Sequence, residues 1–401
     1  MRQTKRMSQM PASGTLKMLE TAKQMEKEGK TIIHMEVGEP DFDTPEHIKR
    51  AAEEALERGL TKYTPSLGMP ELREAIADHL NTKGIGATPN EIIVTPGAKH
   101  AIFCAIISAL DPGDEIIIPS PCWTYEGIAL IAGARVEYVE TRPENGFRVE
   151  IEKVKEKLSP KTRMLLLNYP NNPTGAVIGK NEIKALADLA VDHDLWVISD
   201  EIYDCLVYDG EHASIASLPN MKDRTIYING FSKAYAMTGW RLGYAFAPKE
   251  LIKEMSKVQQ ASTSCVAQFI QFAGVAALRG PQDFVLKMKE EYRRRRDAIV
   301  DGLNSIDGFN CNKPSGAFYV FPSIAFGVSS AKLCERMLVE AQVAAVPGSE
   351  FGPYGEGHVR FSYATSMQNI EKAIEKLRKF AESFKKEQTP FGEITDRLNC
   401  S

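Results

Sequence analysis

The residues best equipped for chemistry lie within 229–248, NGFSKAYAMTGWRLGYAFAP. Ser232 and Lys233 follow the alternating, β-branched run Thr225-Ile226-Tyr227-Ile228. Such a run reads as a strand, so a hydroxyl and an amine stand where that strand gives way to a tight turn. Arg241 comes a few residues later, behind Gly239 and Trp240. A hydroxyl, an amine and a guanidinium in one short loop can hold a phosphate beside a nucleophilic amine. A surface Ser-Lys with a structural arginine has the same spelling, so the elements that position this loop must decide.

Bulk composition narrows the classes. The chain has 401 residues, 43% of them hydrophobic, enough for one large and one smaller domain. Its 49 basic and 53 acidic residues nearly cancel, which leaves no global field for nucleic acid or an anionic membrane. The local exception, residues 293–296 (RRRR), is flanked by Glu290, Glu291 and Asp297 and reads as a solvated helix face. Seven cysteines are scattered without a CxxC pair or histidine partners, so reduced thiols are expected rather than disulfides or a metal site. The longest apolar run, 101–110, is about half a membrane span. No apolar stretch follows the basic N-terminus (Arg2, Lys5, Arg6), so a cytoplasmic protein is expected.

Along the chain, a helix at about 13–28 and a short strand ending at Met35 to Gly38 lead into GEPDFDTP (38–45), whose Gly, Pro and Asp content demands a loop. Helices are expected at 45–58 and 71–81, separated by a turn-rich loop presenting Tyr63. Seven strand candidates come next, at 92–95, 115–119, 135–139, 163–168, 195–199, 225–229 and 243–247. Most are continuous β-branched or leucine runs, as strands buried on both faces are, and helical segments at 99–110, 126–132 and 181–193 alternate with them. This predicts an α/β fold with a three-layer αβα large domain around a mainly parallel seven-stranded sheet, spanning 48–289. A long helical region (250–302), strands at 316–321, 343–346 and 358–363, and helices at 330–341 and 368–387 suggest a smaller α+β domain from 1–47 and 290–401. The tail from Gln388 onward is expected to be mobile.

Open α/β sheets bind ligands beyond the carboxyl ends of their strands, so the residues just past each strand matter most. After 92–95 comes Pro96-Gly97-Ala98-Lys99, a small-residue turn opening a helix whose free N–H groups suit a phosphate. After 115–119 stands Trp123, a planar ring; after 163–168 the amide-rich turn Asn171-Asn172-Pro173-Thr174-Gly175; after 195–199 Asp200 and Tyr203; after 225–229 the lysine loop. Each feature has a structural explanation of its own: a helix cap, core filling, a turn, a solvated strand end. Together they describe a site for a phosphorylated aromatic cation bearing an aldehyde, which fits pyridoxal phosphate. Lys233 would carry it as a Schiff base and then move the Cα proton. Asp200 would keep the ring nitrogen protonated, Trp123 would stack on the ring, and Asn172 and Tyr203 would bond its phenolic oxygen. Ser232, Arg241 and the backbone at Gly97, Ala98 and Lys99 would hold the phosphate. Arg360, in GHVRFSY, is the candidate for a substrate carboxylate, because a guanidinium matches that group's geometry.

The sequence resembles the class I aminotransferases of fold type I over nearly its whole length. The matching motifs are GEPDFDTP (38–45), KYTPSLGMPELREA (62–75), NYPNNPTGAV (168–177), SDEIY (199–203), GFSKAYAMTGWRLGY (230–244), PSGAFYVFP (314–322) and VRFSYAT (359–365). Within the class it is most similar to the prokaryotic and archaeal aspartate aminotransferase branch, which also holds aromatic and broad-specificity enzymes. The resemblance implies transfer of the α-amino group of an L-amino acid, aspartate first, to 2-oxoglutarate, with an aromatic or broad donor range as the runner-up and a lyase or decarboxylase behind it. It implies a homodimer in which Tyr63 reaches the neighbouring subunit's cofactor, Gly38 offering its backbone near the substrate, Arg360 binding the α-carboxylate, and Thr15 lying near the substrate side chain. No counterpart of the partner-subunit arginine that pairs the distal carboxylate in the better-known branch is evident.

Other classes fit less well. A nicotinamide-binding GxGxxG fails because Arg360 stands where the third glycine after Gly355 and Gly357 belongs. A phosphate loop at 175–180 is one residue short and ends in Asn181, and a hydrolase elbow at Gly230-x-Ser232 fails at Ala234. A DNA-binding sensor is not expected, since the residues before Gly38 are too few for a winged helix and linker.

Overall fold

The computed structural model describes residues 14–388 together with Thr4, Met7, Ser8 and Met10, with backbone only for 14–17, 19 and 388. Gln388 closes the last helix, and the rest of the tail expected to be mobile lies outside the described residues.

After β1 (Ile33–His34), the apolar runs form one seven-stranded sheet: β2 (Ile92–Thr95), β3 (Glu115–Ser120), β4 (Arg135–Glu140), β5 (Thr162–Asn168), β6 (Trp196–Asp200), β7 (Thr225–Gly230) and β8 (Gly243–Phe246). The order across the sheet is β2-β8-β7-β6-β5-β3-β4. Its members are parallel except β8, which runs antiparallel to β2 and β7. Successive residues point to opposite faces, and both faces are dry. On one side Ile116, Ile118, Leu166, Ile198 and Ile228 pack with helices Ala98–Ala109 and Lys249–Ser262. On the other, Ile117, Leu165, Leu167 and Val197 pack with helix Lys180–Asp192. Helix Pro70–Asn81 covers the second face at β2, β7 and β8 through Leu72, Ile76 and Leu80. The mainly parallel seven-stranded sheet between helical layers is thus the architecture expected from the sequence.

The remaining strands are short: β9 (Phe309–Asn310), β10 (Tyr319–Val320), β11 (Ser323–Ile324), β12 (Val343–Ala344), β13 (Val346–Pro347) and β14 (Val359–Ser362). β14 lies between β10 and β13, antiparallel to both, while β12 pairs in parallel with β1. They share a core with helices Asp283–Asn304 and Met367–Gln388. Tyr203 and Leu206, just past β6, belong to that same core.

Three local expectations change. The strand foreseen at 316–321 shrinks to Tyr319–Val320, because Ala317 takes a left-handed φ of 57°. The helical stretch 250–302 divides into Lys249–Ser262, Gln268–Arg279 and Asp283–Asn304. Ser264, at φ 63°, ends the first, and Gly280 with Pro281, which has no N–H to donate, ends the second. The third concerns the arginine run. Residues 292, 295, 296 and 299 share one face of a 3.6-residue period, so Arg295 and Arg296 turn inward with Tyr292 and Ile299. Arg295 bonds both carboxylate oxygens of Asp41, at 2.7 and 2.9 Å, and Arg296 bonds Asp209 and the Pro314 carbonyl. Half of the expected solvated face instead staples the 38–45 loop and the 209 turn to this helix.

A Cβ added at Gly243 would come 2.4 Å from the Ala98 nitrogen, so β8 can lie against this helix end only as glycine. Gly243→Ala is expected to cost roughly 1–3 kcal/mol by forcing backbone apart, read as a lower urea midpoint at unchanged slope. A midpoint equal to wild type would show that the contact yields freely.

Candidate active site

The carboxyl ends of β3, β5, β6 and β7 and the start of helix Ala98–Ala109 open into one cavity of about 630 Å³. Ala98, Lys99, Trp123, Asn172, Asp200, Tyr203, Ser232, Lys233, Arg241, Gly38 and Arg360 all line it, so the strand ends and β14 bring together nearly every residue singled out above. Gly97 stands just behind, at φ 83°, a left-handed conformation that strains any side chain, and a Cβ there would lie 2.6 Å from the Arg241 guanidinium and displace it. The guanidinium is therefore pressed against the first turn of the helix, whose opening N–H groups point the same way. With Ser232 beside them, these groups make a cradle for an anion. Tyr63 lies apart, 90% exposed. Thr15 falls in helix Gly14–Lys27, where its side chain is outside the described residues.

Lys233 sits at the centre. Its ammonium is half-buried and donates to the Gly38 carbonyl at 2.6 Å. Burial pushes its pKa down to about 8; Arg360 and Arg241 push the same way, while Glu39 and Asp200 oppose them. Below Lys233, Asp200 ends β6 fully enclosed. It accepts from the Tyr125 hydroxyl at 2.8 Å and the Ile202 amide at 3.3 Å. Burial raises its pKa to about 6 against those two donors.

Arg360 is buried and mostly committed. Nη1 donates to Asn172 Oδ1 at 3.0 Å and Nη2 to the Glu36 carbonyl at 2.5 Å, with the Tyr319 and Phe351 rings 4.6 and 5.0 Å from Cζ. Its Nε–H has no partner. Because Asn172 Oδ1 is taken, its amide N–H₂ is the group left to face the cavity. The turn bearing Asn172 is fixed from within: Asn171 Oδ1 accepts from Thr174, and Asn168 Oδ1 from the Asn172 amide. Tyr203 shares a 2.9 Å hydrogen bond with Tyr319. At the mouth, the Lys99 ammonium rests 4.3 Å from the centre of the Trp123 ring, its pKa lowered by burial and by Arg241.

Sequence reasoning overlooked Tyr125, Tyr319, Asn168 and Glu36. Tyr125 stood two residues beyond the ring it did select, and Tyr319 inside the GAFYVF run. Glu36 contributes a backbone carbonyl, which no residue type announces. A second, more open cleft of about 660 Å³ lies between residues 144–148, 209–211 and 312–315. Its cations Arg148, Lys180 and Lys313 are already paired with Glu182, Glu211 and Asp297.

An amine of depressed basicity between a buried carboxylate, an anion cradle and a buried arginine defines an enzyme handling a small molecule that carries anionic groups. The chain belongs to the aminotransferase class I and II family, whose model matches residues 30–377, and it is an aminotransferase. It is 47% identical to an aspartate aminotransferase of Pyrococcus abyssi, over 87% of this chain and 92% of that one. It is 46% identical to aromatic-amino-acid aminotransferase 2 of Thermococcus litoralis, over 87% and 91%. Among solved structures, the aspartate aminotransferase from Thermus thermophilus with maleate superposes with a TM-score of 0.91 at 44% identity, over 94% of this chain and all (100%) of that one. Among the described residues, no helix is long and apolar enough to cross a membrane.

The signs of the charges around Lys233 can be tested directly. In the protein without added ligand, pH-dependent chemical labelling of Lys233, followed by mass spectrometry, should show a midpoint near its depressed pKa of about 8. Glu39→Gln should lower that midpoint, by removing a charge that favours the ammonium, and Arg360→Gln should raise it. A midpoint at the ordinary lysine value of about 10.4 would contradict the burial argument.

Proposed function

We propose that this chain is a pyridoxal-phosphate-dependent transaminase that moves the α-amino group of an L-amino acid, aspartate first, to 2-oxoglutarate. The observation that carries this reading is the convergence of a low-pKa lysine, a buried carboxylate and an anion cradle on one cavity. The residues suit the cofactor. The cradle of Ala98, Lys99, Ser232 and Arg241, which a side chain at Gly97 would fill, suits its phosphate; buried Asp200 suits its ring nitrogen; the spare amide of Asn172 and the hydroxyl of Tyr203 suit its phenolic oxygen. Trp123 lines the same cavity and offers its ring for stacking. When bound, pyridoxal phosphate supplies an electron sink for the carbanion left as the substrate Cα loses its proton.

The protein's part is positioning and proton transfer. With a pKa of about 8, roughly a tenth of Lys233 is neutral at pH 7, against a few parts in ten thousand for an ordinary lysine. Its Nζ can therefore take the Cα proton as a general base and return it on the other side of the exchange. Asp200, opposite a cation, is drawn back toward its charged form and holds the ring nitrogen's proton in place. Arg360, lining the cavity with a guanidinium already oriented by Asn172 and Glu36, is ready for a substrate α-carboxylate without paying to reorganise. Gly38 offers its backbone beside Lys233, from whose ammonium its carbonyl accepts at 2.6 Å, and a Cβ there would strike the Tyr319 hydroxyl at 2.1 Å.

Lys99 favours an acidic donor. Its ammonium stands at the mouth over Trp123 and complements a side-chain carboxylate. Assembly and layout follow the same reading: a second copy covering Tyr63, the large exposed aromatic in the 61–68 loop, makes the homodimer. The chain then divides into a cofactor-binding domain at 48–289 and a smaller one from 1–47 and 290–401. Thr15 is placed near the substrate side chain on the family resemblance alone. Six described cysteines are unpaired, which suits a cytoplasmic enzyme.

Lys233→Ala should abolish amino transfer from every donor while circular dichroism and thermal midpoint stay near wild type. Lys99→Met should raise the KM for aspartate roughly tenfold to a hundredfold, the scale of one charge-assisted hydrogen bond, and leave phenylalanine within about twofold. A donor panel in which phenylalanine turns over well and aspartate does not would overturn aspartate as first donor in favour of an aromatic one.

A further inference from the structure

Behind Asp200 lies a second layer of buried charge that the proposed reaction does not use. Asp200 and Glu201 are consecutive, so their side chains leave the end of β6 on opposite faces. Asp200 lines the cavity, while Glu201 turns away from it, 1% exposed. Glu201 Oε1 accepts from Ser199 at 2.8 Å and Ser214 at 2.6 Å, and Oε2 faces His212 Nε2 at 2.5 Å. Nearby, Asp204 is paired with Lys83 and accepts from Tyr227 at 3.2 Å and Asn229 at 2.9 Å. Asn229 in turn receives the Gly230 amide at 2.7 Å, three residues before Lys233. This layer therefore joins the strand end that carries Asp200 and Tyr203 to the loop that carries Lys233.

The layer's charge balances only with one more proton. Its carboxylates are Glu201 and Asp204 and its fixed cation is Lys83; His79, which also faces Lys83 and Asp204, is driven down to about 4 by burial and by Lys83, and so is neutral. An uncompensated carboxylate in so enclosed a place is the costlier arrangement. We propose that His212 is a positioning residue held in its charged form against Glu201, and that this pair keeps the layer behind Asp200 and Lys233 electrically neutral. The unpartnered Nδ1 of His212 argues for a neutral ring, but the buried Glu201 Oε2 at 2.5 Å, the carboxylate oxygen that Ser199 and Ser214 leave unpaired, argues more strongly for a charged one. Burial lowers the His212 pKa, yet Glu201 and then Asp204 carry it above the ordinary histidine value. A raised folded-state pKa stabilises the fold below the unfolded value of about 6.5, and that contribution is lost as pH climbs through the folded value.

These charges belong to the protein itself and are present whichever ligand fills the cavity, so the test uses none. Nitrogen-15 NMR of histidine-labelled protein at pH 7 should show both His212 nitrogens protonated; a singly protonated ring overturns the proposal. In His212→Gln the layer becomes net negative, so the labelling midpoint of Lys233 should rise by a few tenths of a pH unit. The double variant Glu201→Gln/His212→Gln, neutral throughout, should return it to the wild-type value. A purely structural role would not move that midpoint in this pattern, and equal midpoints in wild type and His212→Gln reject the idea even if the double variant fails to fold.

Discussion

The interaction on which the site depends is the partial burial of the Lys233 ammonium among other cations, offset by the Gly38 carbonyl at 2.6 Å. The cavity is lined by Lys99, Lys233, Arg241 and Arg360 against Asp200, Glu39 and Glu350, an excess of positive charge around one opening. Such an arrangement keeps the amine close to neutrality and attracts anionic ligands. Both consequences are what amino transfer needs, and both depend on the wall being rigid. Arg360 cannot swing away from Asn172 and Glu36 without stranding a buried guanidinium, and Arg241 is held by the Thr238 carbonyl at 2.8 Å.

That rigidity comes from the sheet. β7 is an inner strand, flanked by β6 and β8, so the lysine loop starts from a strand hydrogen-bonded on both sides. The loop is then tied from outside the sheet. Thr44 donates to the Ala236 carbonyl at 2.7 Å and accepts from Trp240 at 3.1 Å, while Asp41 is clasped by Arg295. The 38–45 segment is thus a strap between the lysine loop and helix Asp283–Asn304, and its first residue is the carbonyl that Lys233 touches.

Strands buried on both faces betray themselves as nearly unbroken apolar runs, which is why most of the sheet strands could be read from residue types; the edge strand β4, with its alternating charges, shows itself by its β-branched alternation instead. Direction could not: the run at β8 is as apolar as its neighbours, and nothing in hydrophobicity says that it returns antiparallel. Asp200, Asn172 and Lys233 were legible because a polar residue at the end of an apolar run is conspicuous. Tyr125 and Tyr319 were not, because an aromatic residue looks like core until its hydroxyl is seen to meet Asp200 or Tyr203. Arg295 and Arg296 were misjudged because a run of like charge suggests solvent. The inward pair is marked only by its helical phase with Tyr292 and Ile299, and its anions stand far away in sequence.

The central claim is that Lys233, and no other lysine, carries the cofactor. Incubating the protein with pyridoxal phosphate, reducing with borohydride and mapping the peptides tests it most directly. The reduced cofactor's mass should be found on the peptide containing Lys233 and should be absent from Lys99, which shares the cavity. Attachment at Lys99 or any other lysine, or no attachment at all, would contradict it.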